Sequence, residues 1–108
     1  MRRLHPDPEQ IRLDGVLSAL GNPVRLGVVR ALTGGAERTC NSVLAELGIT
    51  AKSTMTHHWR VLRENGVIWQ VPSGRETLVS LRRDDLDARY PGLLDAVLTG
   101  IRVDETAS

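Results

Sequence analysis

The stretch Ser53-Thr54-Met55-Thr56-His57-His58-Trp59-Arg60-Val61-Leu62-Arg63-Glu64-Asn65-Gly66-Val67-Ile68 decides how this chain is read. Met55, His58, Trp59 and Leu62 recur at i, i+3, i+4 and i+7. One face of a helix from about Ser53 to Asn65 therefore points into a core, and Gly66 closes it. The opposite face offers Ser53, Thr56, His57 and Arg60, with Lys52, Thr54 and Arg63 beside it. Hydroxyls, an imidazole and guanidinium groups are what meet phosphate oxygens and base edges in a major groove. No acid interrupts that face before Glu64, whereas an ordinary solvated helix interleaves Glu and Asp. The face reads as a DNA-contacting surface. His58, on the apolar stripe, reads as a satisfied core histidine. His57 and His58 point about 100° apart on a helix and cannot chelate one ion together.

Upstream, a short helix from about Thr39 to Leu47 carries Val43, Leu44 and Leu47 inward and stops at Gly48. Short helix, glycine turn and second helix are the layout of a helix-turn-helix over 39–65. Downstream the period changes: Val67–Val71 and Thr77–Leu81 are β-rich runs around Pro72-Ser73-Gly74, with Arg75 and Glu76 at the tip. They predict an antiparallel hairpin, a wing over 67–82. Asp7-Pro8-Glu9-Gln10 reads as a helix start for the stripe Leu13, Val16, Leu17 and Leu20. Asn22-Pro23 starts the next helix, and Gly34-Gly35 stops it. From Asp84 the helical pattern returns through Leu86, Tyr90, Leu94, Val97, Leu98 and Ile101, with Pro91 expected to break it and Asp104–Ser108 expected to fray. The fold class is mainly α with a small β-hairpin: a winged helix-turn-helix of four helices, the hairpin and a last helical stretch. It is one domain, 1–108, flanked by helices over 7–20 and 84–103.

Composition bounds the rest. At 108 residues, 41% hydrophobic and 25% charged, the chain is an ordinary globular domain. No apolar run approaches the ~18–20 residues of a membrane span, and no signal-peptide core opens the chain. Cys40 alone makes no internal disulfide; a cytoplasmic location is expected. Net charge is +1, unevenly spread: residues 52–83 carry six basic residues against two acids, and 84–108 two against six. A basic middle beside an acidic tail points to a local anion-binding surface. A Gly-rich phosphate loop, HExxH and GxSxG are all missing, so no enzyme is expected.

Ala19-Leu20-Gly21-Asn22-Pro23-Val24-Arg25-Leu26 resembles the opening signature of the ArsR/SmtB family of bacterial winged-helix regulators. The stretch 53–68 resembles that family's recognition helix, and Ser73-Gly74-Arg75 its wing tip. The resemblance implies a homodimer through the first and last helices, binding an inverted repeat in double-stranded DNA. It implies repression relieved by an effector, often a metal such as Ni or Zn. Carried over position by position, Lys52, Thr54, Thr56, His57 and Arg60 become the DNA readers, with Ser53 and Arg63 on or beside the same face and Arg75 reaching from the wing. Leu13, Leu17, Leu94, Val97, Leu98 and Ile101 supply an apolar seam for the dimer.

The family's thiolate positions are Thr39 and Asn41 here, with Cys40 between them, and no histidine follows His58 to serve a site on the last helix. His5, Asp7 and Glu9 remain as a weak N/O set for Ni or Zn, better explained by an N-terminus that caps a helix. A separate sensor protein or a thiol response at Cys40 would be other triggers. The reading from another class is a winged-helix protein-interaction module that does not touch DNA.

Overall fold

The computed structural model describes residues 5–107. Pro8–Gln10 form a single 3-10 turn, followed by α1 (Leu13–Leu20), α2 (Pro23–Ala31), β1 (Arg38–Thr39), α3 (Cys40–Leu47), α4 (Lys52–Glu64), β2 (Ile68–Ser73), β3 (Glu76–Leu81), α5 (Arg83–Arg89) and α6 (Leu93–Ala107). Local chemistry sets two of the helix starts. Asn22 Oδ1 accepts from the amides of Val24 and Arg25 ahead of α2, and Thr39 Oγ1 accepts from Ser42 N at 3.0 Å ahead of α3. Gly48 ends α3 with φ +72°.

The first helix does not run from Asp7 as the sequence predicts. Gln10 Oε1 accepts the Asp7 N–H at 2.8 Å and closes one turn only. Ile11 then turns extended and drops into the core at 1% exposure, so α1 begins at Leu13. The stretch over 84–103 is two helices, parted at Tyr90-Pro91-Gly92, where Tyr90 Oη donates to the Ile11 carbonyl at 3.2 Å. The expected fraying from Asp104 is absent: α6 runs to Ala107, with Glu105 ion-paired to Arg30 of α2 at 3.0 Å.

The wing is part of a three-stranded antiparallel sheet in the order β1-β3-β2. β2 and β3 pair from Ile68↔Leu81 to Ser73↔Glu76 around the two-residue turn Gly74-Arg75, with Gly74 at φ +62°. Glycine with positive φ at the first turn position matches the twist of a hairpin. The unexpected strand β1 adds Arg38↔Val79 and Thr39↔Leu78 on the other side of β3. The core lies under the helix-turn-helix, where Val16, Val28, Val43, Met55, Leu62 and Val67 are all fully buried. Among the described residues no helix is long and apolar enough to cross a membrane.

Candidate nucleic-acid interface

Helix α4 divides as its apolar periodicity dictates. Met55, Trp59 and Leu62 are buried, while Lys52, Ser53, Thr54, Thr56, His57 and Arg60 are exposed on the outer side. Ala51 offers no side-chain cap, so the first amides of α4 are left for water or for an anion. His57 Nδ1 and Arg60 Nη2 lie 3.4 Å apart, one turn along the same face. Arg75 stands exposed at the wing tip. The structure thus brings six of the candidate residues onto one helix face and puts Arg75 on a separate projection.

Arg63 departs from that set. It is half-buried, and its Nη1 donates to Gln70 Oε1 of β2 at 2.8 Å. It braces the wing root instead of joining the outer face, because it sits in the last turn of α4, beside the start of β2, where Gln70 takes its guanidinium. The basic middle of the chain is thinned further. Arg82 is 1% exposed, stacked 3.8 Å over the Trp69 ring, donating to the Pro6 carbonyl at 2.8 Å and paired with Asp85. Arg83 is ion-paired with Asp87 and Asp95. Lys52, Arg60 and Arg75 remain as the outward cations of 52–83, with no ion pair among the described residues.

His58 is half-buried, not a core residue: the stripe position rotates it to the rim, where its Nδ1 lies 3.1 Å from Arg25 Nη1. Burial, Arg25 and His57 together push its pKa below the ordinary histidine value. His5 is also held below that value, by burial and by Arg82 and Arg63. Its Nε2 accepts the Gln70 N–H at 2.9 Å, and its ring meets Trp69 edge-on. That nitrogen is taken from the proposed His5, Asp7, Glu9 metal set, which the 3-10 turn does not gather. Among the described residues no three His, Cys, Asp or Glu side chains are grouped to hold a metal ion. The described residues of one protomer gather no donor set for a metal effector. Cys40 is half-buried with its thiol pKa raised by burial.

The seam residues separate as well. Leu13 and Leu17 are 45% and 50% exposed, one turn apart on α1. Val97, Leu98 and Ile101 are half-buried, and the last two line a cavity of about 630 Å³ beside Arg30 of α2 and Thr33 just past its end. Leu94 is a correction: at 2% exposure it belongs to the protomer's own core, because the Pro91 break turns the first turn of α6 inward.

A helix-turn-helix domain model matches residues 20–71, from the end of α1 into β2. An uncharacterized HTH-type transcriptional regulator, YceK from Bacillus subtilis, is 33% identical over 90 residues, covering 82% of this chain and 88% of that one. Among solved structures, the transcriptional repressor BigR from Xylella fastidiosa superposes with a TM-score of 0.64 at 25% identity, over 81% of this chain and 83% of that one. An ArsR family transcriptional regulator matches with a TM-score of 0.62 at 22% identity, over 96% and 98%. The chain belongs to the helix-turn-helix transcriptional regulators, and its fold is that of the ArsR family regulator it superposes on. In this helix-turn-helix regulator α3 and α4 form the helix-turn-helix and the β2–β3 hairpin the wing.

The sequence reading missed Arg25, Gln70 and Arg82 as organising residues. A charged residue at the junction of predicted elements was the available signal for Arg25 and Arg82; Gln70 carried none.

Proposed function

We propose that this regulator represses transcription by binding an inverted-repeat operator as a homodimer, each protomer laying α4 in a major groove. The acid-free outer face of α4, bearing Lys52, Ser53, Thr54, Thr56, His57 and Arg60, carries the reading. Lys52 and the open helix N-terminus meet phosphate, Arg60 and His57 reach base edges, and Arg75 follows the backbone or minor groove from the wing. Two-fold symmetry sets half-sites about one helical turn apart, ~34–36 Å. The exposed Leu13 and Leu17 of α1, with Val97, Leu98 and Ile101 of α6, supply the dimer seam. The likeness to BigR, named a transcriptional repressor, supports the sign of regulation. On this reading the protein acts in the cytoplasm, and any trigger it has is a redox change or a separate sensor protein rather than a metal held by the described residues.

The test is selection of genomic fragments by the protein, followed by fluorescence anisotropy on the enriched DNA with Ni²⁺, Zn²⁺ or chelator. Enrichment of one inverted repeat, bound alike in all three conditions, is the expected result. No enrichment of any fragment would return the protein to the interaction-module reading, and a tenfold metal response would overturn the metal-free trigger.

A further inference from the structure

Arg25 joins three helices at one point. It lies in the first turn of α2, ordered by the Asn22 cap, and its guanidinium spans from α1 to α4. Nε donates to the Ala19 carbonyl at 2.6 Å and Nη2 to the Ser18 carbonyl at 3.3 Å, both in the last turn of α1. There the negative end of the helix dipole favours a cation. Nη1 lies 3.1 Å from Nδ1 of His58 on α4. A guanidinium has five donors and no acceptor, so this contact is a hydrogen bond only while His58 keeps the Nδ1 lone pair, as the neutral Nε2–H tautomer. His58 in turn adjoins His57 on the outer face, with ring centroids 5.9 Å apart.

We propose that Arg25 and His58 are positioning residues for DNA binding: together they fix the angle of the recognition helix against α1, and they hold it only while His58 is neutral. This rests on the reading of α4 as the DNA-contacting element. α1 carries the exposed Leu13 and Leu17, so the clamp also sets how the dimer seam faces the two recognition helices. The charges acting on His58 are Arg25 from α2 and His57 along α4, and from α1 it shares Arg25 with the carbonyls of Ser18 and Ala19. Its burial opposes its protonation, as do Arg25 and His57. A proton on Nδ1 turns an acceptor into a second donor facing a guanidinium, and the link opens. The direction is opposite to that of His57, whose protonation adds a cation facing phosphate.

The test is anisotropy on the selected operator at fixed ionic strength from about pH 5 to about pH 8. His57→Asn is the background, which removes the opposing gain. There the affinity is expected to fall about tenfold toward the acid end, the worth of one charge-assisted hydrogen bond. Adding His58→Asn, whose amide oxygen stands near the place of Nδ1 without titrating, flattens that loss. Adding Arg25→Lys instead leaves affinity low and equally flat. Nitrogen NMR of the wild-type ring checks the tautomer without DNA, and Nε2–H above the transition is expected. An acid-side loss that persists in the His58→Asn variant, or a proton on Nδ1 at high pH, overturns the positioning role. Wild type that binds no DNA at any pH overturns instead the DNA reading beneath it.

Discussion

Arg60 and Trp59 are neighbours in the chain with opposite tasks. Arg60 is exposed and meets His57, so its loss leaves the protomer intact. Arg60→Ala is expected to weaken operator binding by ~1–3 kcal/mol, the worth of one base contact. Its melting temperature is expected to stay that of wild type, as for other exposed sites. Trp59 is 7% exposed in the core, and Trp59→Ala is expected to cost about 3–5 kcal/mol, read by urea unfolding. At the same scale, His5 and His58 are both held below the ordinary histidine value near 6.5. The folded state thus prefers them neutral. Their contribution to stability is whole above that value and is lost as pH falls through the lowered folded-state values. A urea midpoint that declines between about pH 7 and about pH 5 is expected, and a flat one in that window would contradict the assignment.

Elements were legible where side chains repeat with a period and hardly at all where distant residues decide. The stripe in 53–65, the caps Asn22 and Thr39, and the turn at Gly74 each act within a few residues, and α2, α3, α4 and the hairpin lie where those signals put them. The break after Gln10 is decided by Ile11, which is drawn under Gly66 more than fifty residues away. β1 exists because Val79 and Leu78 of β3 offer a free edge to a two-residue segment with no pattern of its own. Arg82 reads as surface charge in the sequence, yet Trp69 and the Pro6 carbonyl hold it buried. For the site, Lys52 through Arg60 could be read from helical spacing, while Arg63 could not, since its partner Gln70 lies on the wing. Gly66 tests this account of the α4–β2 joint. It has φ +78°, and an added Cβ would lie 2.5 Å from Ile11 Cγ1. Gly66→Ala is expected to lose about 1–3 kcal/mol, from strain and overpacking together, measured by thermal unfolding.

The whole molecule carries two distinct surfaces, one basic face on α4 and one apolar ridge on α1, tied through Arg25. If the proposed homodimer forms through this ridge, Leu17→Glu separates it while each protomer stays folded, by sedimentation and circular dichroism. Leu94→Glu is expected to unfold the protomer instead, since it forces a charge into the core. A sedimentation coefficient unmoved by Leu17→Glu would take α1 out of the seam. The central claim is that the outward cations of α4 and the wing bind DNA. The measurement that reaches it most directly is the slope of log binding constant against log salt for the selected operator, in wild type and in a Lys52→Ala, Arg60→Ala, Arg75→Ala triple variant. Each lost phosphate contact flattens the slope by about one unit, so the loss of Lys52 and Arg75 should remove about two units of salt dependence per protomer, with affinity falling further through the Arg60 base contact. A triple variant with the wild-type slope and affinity would contradict the account, because the DNA would then lie against some other face.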